Sequence, residues 1–305
     1  MTPGSSGYDP IQRVTVGSAD AAIELAYETF GDRGGAPVLL IMGLGTQMIA
    51  WPDALCEDLA GRGYFVIRYD NRDVGQSTHL NELPVPGLRE LALRRRPPYA
   101  IRDLADDAAA LLDALGIDSA HVAGASMGGF IAQSLVLRHP DRVRSLTLVM
   151  TSTGSRLVGH PQPGLIPRLL RGRRATNRDE AVAAALETFA AIGSPGFDPD
   201  LDYRRDLAGR SYDRGYNPRG YRRQLAACMA QSNRTARLRG VAVPTVVVHG
   251  LADPLVHVSG GKAVARAIPG ARFVGVPGMG HDLPRGVWPQ LADEISLVAA
   301  AADGR

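Results

Sequence analysis

Cysteine and lysine are almost missing from this chain. Its two cysteines, Cys56 and Cys228, fall on separate expected helices, so the sequence carries no disulfide framework and two reduced thiols are expected. Lysine occurs once, at Lys262, beside 33 arginines, yet the formal net charge is only +3. That balance leaves no basic footprint for nucleic acid; the run Arg94-Arg95-Arg96 is too small to make one. No stretch approaches the roughly 18 apolar residues of a spanning helix. The first residues are polar and rich in Gly and Ser rather than apolar, so Met1 to Tyr8 read as loose and carry no secretion signal. A cytoplasmic protein without stable membrane insertion is expected. None of the seven histidines has a partner at metal-ligand spacing, so no metal is expected. Gly43 and Gly45 lack the third glycine and the downstream ribose acid of a dinucleotide fingerprint, and no cofactor is expected either.

What the chain does have is length and alternation. With 305 residues, 45% of them apolar, it can bury a large core. Short apolar runs such as Val38-Leu39-Leu40-Ile41, Tyr64 to Tyr69, Ser145 to Met150 and Thr245 to Val248 alternate with helical patterns, which argues for an α/β fold with a mostly parallel sheet. One such pattern carries Leu104, Ala108, Leu111, Leu112 and Leu115 on one face, with Asp103 as its expected cap and Gly116 as its stop. After Thr153 the strand pattern disappears. Residues 156–238 read as an inserted helical segment that interrupts a core formed by 1–155 and 239–305. The insert holds fifteen Arg against eight Asp or Glu, read here mainly as solvated or salt-bridged side chains. Leu165, Ile166, Leu169, Leu170, Phe189 and Tyr216 are candidates to line a pocket beneath it.

The most informative stretch is Gly124-Ala125-Ser126-Met127-Gly128, set between the apolar run 120–123 and a helical pattern from Gly129. A Gly-x-Ser-x-Gly at a strand-to-helix junction forces a sharp turn, with Gly124 and Gly128 removing side chains that would collide. The serine is then held out at the head of a helix, whose N-terminus favours developing negative charge. A serine hydroxyl is a poor nucleophile without a base, and the base needs an orienting carboxylate. Asp253 follows the strand 244–250 and His281 follows the strand 271–276, so both fall where open α/β sheets place functional groups. Asp282 is a rival acid, but as the sequence neighbour of His281 it would have to turn back onto that ring. His257, four residues after Asp253, is a rival base, although it precedes a helix rather than following the last strand. His249 reads as filling space below the site. For the oxyanion, the N–H of Met127 and that of Leu44, in the glycine-bearing loop Met42-Gly43-Leu44-Gly45-Thr46, are the candidate donors.

The segments 40–45 with Trp51-Pro52, 66–77, 124–129 and 278–284 together resemble the α/β-hydrolase superfamily, and within it actinobacterial esterases related to aclacinomycin methylesterase. The resemblance spans about residues 10–300. It implies an eight-stranded, mostly parallel sheet with an inserted helical cap, a Ser126–His281–Asp253 triad and a small-molecule ester substrate. Many members carry His-Gly where this chain has Met42-Gly43, which changes the local support of the oxyanion loop. Three functions stay open. The first is a serine hydrolase of carboxylic esters acting through an acyl-enzyme, with peracid formation as a side reaction. The second is a carbon–carbon hydrolase of the meta-cleavage type, and the third a triad-bearing ligand-binding protein with little turnover.

Overall fold

Residues 8–17, 22–94, 96–167 and 175–304 are described by a computed structural model. Eight strands form one sheet: β1 (Tyr8–Val16), β2 (Ile23–Phe30), β3 (Ala36–Ile41), β4 (Tyr64–Tyr69), β5 (Ala120–Ala125), β6 (Val143–Val149), β7 (Thr245–Gly250) and β8 (Arg272–Val276). Their order is β1-β2-β4-β3-β5-β6-β7-β8. β2 pairs antiparallel with both β1 and β4, and every other pairing is parallel, as the sequence predicts. The central strands read as uninterrupted apolar runs because both faces are covered; every residue of β5 and β7 is buried.

Helices cover the two faces. On one side α3 (Ile101–Ala114), α4 (Met127–Arg138) and α9 (Ser259–Ala267) bury Leu104, Leu111, Ile131, Leu135 and Val264 against the sheet. On the other, α1 (Asp53–Gly61) and α10 (Trp288–Asp303) bury Leu55, Leu59, Leu291 and Ile295. Between β6 and β7 the described elements include α5 (Arg178–Ile192), α6 (Leu201–Gly215), α7 (Pro218–Ala230) and the short α8 (Thr235–Leu238). Among the described residues no helix is long and apolar enough to cross a membrane.

Several local expectations change. Met1 to Gly7 lie outside the described residues, but Tyr8 already begins β1, paired with Phe30. Asp103 is not the cap of α3. Ala100 occupies that place, and Asp103 sits one turn in, where its Oδ2 accepts the Ala100 N–H at 2.7 Å. The carboxylate thus meets a free amide at the helix head from inside the helix. Leu88–Ala92, for which the sequence carries no helical pattern, form the short α2, with Leu91 packed against Leu225 and Ala226 of α7. Cys56 and Cys228 are both free thiols, and burial pushes each up to about 12.

Buried ion pairs fasten α6 and α7 to the body. Asp73 has positive φ and a fully buried side chain. It takes Arg223 Nη2 at 2.6 Å, Arg223 Nε at 2.7 Å and Tyr99 OH at 2.7 Å. Asp70 accepts Arg214 Nη2 at 2.7 Å and the Met48 N–H at 2.7 Å. The arginines of the insert, expected to be solvated or salt-bridged, thus include ion pairs buried in the structure, with Arg223 fully buried.

Candidate active site

The C-terminal ends of β3, β5, β7 and β8 converge on one edge of the sheet. β5 ends at Ala125 and α4 starts at Met127, so Ser126 makes the whole turn by itself, at φ 55° and ψ −115°. The turn is held from several sides. Ser126 N–H donates to Val149 O at 2.9 Å, and Ser126 O accepts the Thr151 hydroxyl at 2.9 Å. A Cβ on Gly124 would overlap the Gly128 carbonyl, and one on Gly128 the Ile41 carbonyl oxygen. Those two glycines let α4 seat directly on the ends of β5 and β3. Ser126 makes no side-chain capping bond to α4, which leaves its hydroxyl for other partners.

That hydroxyl lies 2.9 Å from His281 Nε2, and His281 Nδ1 lies 2.7 Å from Asp253 Oδ2. A carboxylate only accepts, so Nδ1 carries the proton and Nε2 is left to accept from Ser126. Asp253 is 5% and His281 8% exposed, so water competes weakly for either bond. The second oxygen of Asp253 is occupied as well, accepting the N–H groups of Leu255 and Val256 at 2.8 Å each. Burial would push the Asp253 carboxyl up, but the charge and hydrogen bond of His281, His249 and these backbone donors outweigh it and hold the group well below the usual carboxylate range.

The rivals are placed elsewhere. Asp282 faces away from His281, bonding Arg204 of α6 and the Ser194 hydroxyl. His257 is exposed and pairs with Ser259 at 2.9 Å. His249 is fully buried, its Nε2 at 2.7 Å from Val256 O and 3.5 Å from Asp253 Oδ2, so it closes the Asp253 loop as well as filling space. The His281 loop is itself fastened to the segment after α5. His281 N–H donates to Ile192 O at 2.7 Å, Gly280 N–H to Ser194 Oγ at 2.9 Å, and Gly196 N–H to Gly278 O at 2.9 Å.

Gly43 brings the loop after β3 against the serine, since a Cβ there would lie 3.2 Å from Ser126 Cβ and 3.7 Å from its Oγ. Among the described residues, neither Leu44 N–H nor Met127 N–H meets an acceptor. Both amides, Met127 at the head of α4 next to Ser126 and Leu44 next in the chain to Gly43, are thus open to an oxygen acceptor. Of the expected pocket residues, Leu165 is buried and Phe189 lies 4.6 Å beneath the Arg204 guanidinium. Ile166 and Tyr216 are 44% and 39% exposed, and Leu169 and Leu170 lie outside the described residues. Among the described residues no group of three His, Cys, Asp or Glu side chains could hold a metal ion.

Sequence reasoning missed Gln224, Asn71 and Arg204, which hold the loops of the site. Gln224 Oε1 accepts Gly45 N–H at 2.8 Å, and Asn71 Nδ2 donates to Met42 O at 3.1 Å. The available signal for Asn71 was its place in Arg68-Tyr69-Asp70-Asn71-Arg72-Asp73, a polar run at the end of a buried strand.

Comparison with known proteins agrees with this architecture. The family described as alpha/beta hydrolase fold matches residues 36–284. Rhodomycin D methylesterase DauP from a Streptomyces species is 31% identical over 300 residues, covering 92% of this chain and 96% of its own. The 3-oxoadipate enol-lactonase 2 of Acinetobacter baylyi is 27% identical, with 81% and 82% covered. The crystal structure of the putative non-heme bromoperoxidase BpoC from Mycobacterium tuberculosis superposes with a TM-score of 0.67 at 25% identity, covering 91% of this chain and 96% of that one.

Proposed function

Because the chain belongs to the α/β-hydrolase fold family, we propose that it is a serine hydrolase cleaving carboxylic esters of small molecules through an acyl-enzyme, with residues 156–238 as a cap over the site. The observation that carries this reading is the unbroken path from Asp253 Oδ2 through His281 to Ser126 Oγ, at 2.7 and 2.9 Å. The likeness to DauP, a methylesterase, supports esters of small alcohols as the first substrates to test, and the enol-lactonase keeps lactones in the panel.

In this mechanism His281 Nε2 takes the Ser126 proton as Oγ bonds to the ester carbonyl carbon. The carbonyl oxygen becomes an oxyanion, received by the N–H groups of Leu44 and Met127. Asp253 holds the imidazole in the tautomer that can accept, and stabilises the imidazolium that forms. Collapse of the tetrahedral adduct breaks the bond to the alkoxy oxygen, which leaves as the alcohol with the proton from His281. Water then gives a proton to His281 and attacks the acyl carbon. A second collapse releases the carboxylic acid and returns the proton to Ser126. No metal or cofactor enters any step.

The test is hydrolysis of p-nitrophenyl esters from acetate to palmitate, with methyl esters and a lactone alongside, by wild type and Ser126→Ala. Loss of the nucleophile in a triad costs about 10⁶ in kcat, so only background should survive. Hydrolysis untouched by Ser126→Ala, or none on any ester or lactone, refutes the reading.

A further inference from the structure

We propose that Gln224, on helix α7 of the cap, is a positioning residue for the oxyanion site: it fixes the peptide next to the Leu44 N–H from the far side of the loop. This rests on the serine-hydrolase reading above and adds a part that reading does not contain.

The loop 42–46 has little to hold it from within. Met42 offers no side-chain donor or acceptor of hydrogen-bonding strength, Gly43 and Gly45 have no side chains, and Gly45 sits at φ +63°. Its internal bonds include only a long Thr46 N–H to Gly43 O at 3.2 Å and the Thr46 hydroxyl to Leu44 O at 3.1 Å. The direction of the Leu44 N–H depends on the dihedrals at Gly43 and Leu44, and so on the two flanking peptide planes. The plane before it is approached by Asn71, which donates to Met42 O at 3.1 Å. The plane after it, between Leu44 and Gly45, is held at both ends, its carbonyl by Thr46 and its Gly45 N–H by Gln224 Oε1 at 2.8 Å.

Gln224 suits this place because it cannot turn. Gly45 N–H can only donate and Arg72 O can only accept, so the amide is fixed with Oε1 toward Gly45 and Nε2 toward Arg72, the latter at 2.9 Å. The side chain is 0% exposed. Arg223, the residue before it, is locked onto Asp73 by two bonds of 2.6 and 2.7 Å. One helical turn earlier the Tyr221 ring lies against Gly45, where a Cβ would come 2.5 Å from Tyr221 Cδ2. The cap thus reaches the oxyanion loop with one hydrogen bond and one ring face, on a helix bolted down at the adjacent residue. A loop with two glycines and no such strut would sample more directions, and misplacement of a reacting group by about 1 Å can cost about 10²-fold in rate.

The test compares each ester with its thionoester, whose C=S sulfur is larger and accepts hydrogen bonds poorly. The ester-to-thionoester ratio of kcat/KM therefore reports the oxyanion donors rather than general folding. Wild type, Ser126→Ala, Gln224→Met and Gln224→Glu are measured, each checked for a native melting transition. Gln224→Met fills the same space without an acceptor, and should lose about 10-fold or more in kcat with KM little changed and the ratio lowered by a similar factor. Gln224→Glu keeps an oxygen for Gly45 but turns its other carboxylate oxygen toward the Arg72 carbonyl, a repulsive pair in a buried place, so it too should fall below wild type. If Gln224→Met does not fold, Gln224→Asn, one methylene shorter and equally polar, carries the same expectation. A folded Gln224→Met or Gln224→Asn with wild-type ratio overturns the inference while Ser126-dependent turnover upholds the hydrolase. Turnover independent of Ser126 overturns both.

Discussion

Replacing Arg223 with methionine removes the cation from a pair whose two side chains are both fully buried. Breaking such a pair by deleting one partner costs about 3–5 kcal/mol, because a charge is left without compensation. Asp73 would keep Tyr99 OH at 2.7 Å and the Leu80 N–H at 2.9 Å, so the expectation lies at the lower end, about 3 kcal/mol. For a chain of this size that lowers Tm by roughly 5 °C. Two probes separate where the loss falls. Both tryptophans, Trp51 and Trp288, are buried in the sheet-flanking core, whereas circular dichroism sees every helix. In urea, the dichroism transition of Arg223→Met should therefore begin before the fluorescence transition. The effect should also fade in acid. Burial pushes the Asp73 carboxyl up, but its bonds to Arg223 and Tyr99 prevail and hold it below the ordinary value. A depressed carboxylate contributes stability that is present above its unfolded pKa, near about 4, and is lost as pH falls through the folded one. Wild type and variant should then converge below about pH 4. A melting point within 1 °C of wild type at neutral pH, or a deficit that grows on acidification, would refute this account.

Three further outcomes are expected. Gly128→Ala should give no stably folded protein, because its methyl meets backbone, the Ile41 carbonyl, rather than a side chain that can move; a wild-type melting curve would contradict the packing described. Asp253→Asn should lower kcat by about 10⁴ through the wrong imidazole tautomer, whereas Asp282→Asn, which removes the charge paired with Arg204 and keeps an oxygen to accept from it, should stay within about tenfold of wild type; equal losses would erase the distinction between the two acids. Neither Cys56 nor Cys228 should react with a thiol reagent in the native state near neutral pH, since both are pushed up to about 12, and both should react in denaturant.

The sheet was legible because buried parallel strands are written as apolar runs that need no partner to be recognised. The serine turn was legible for a related reason: the glycines that permit it are adjacent in sequence. Asp253 and His281 could be chosen because each follows its own strand, and the loops after β5, β7 and β8 all open on one edge of the parallel sheet. What was not legible depends on distant pairs. Gln224 meets Gly45 across 179 positions and Arg214 meets Asp70 across 144. Nothing about a glutamine or arginine in an arginine-rich helix says whether it faces solvent or a buried carboxylate. Asp103 was misplaced because capping patterns assume a polar residue at the helix boundary, and here alanine holds that place while the acid reaches back from the first turn. Helix α2 was missed because five residues are too few to show a period.

The backbone of Ser126, at φ 55° and ψ −115°, lies in a region that glycine occupies freely and side-chain-bearing residues seldom do. A glycine at 126 would relieve that conformation and leave the turn's backbone bonds to Val149 and Thr151 available. Under drift that rewards only folding, the chain would therefore be free to give up the hydroxyl at this position. A serine at this position runs against the local preference of the backbone, and the proposed nucleophilic role is what would keep it there.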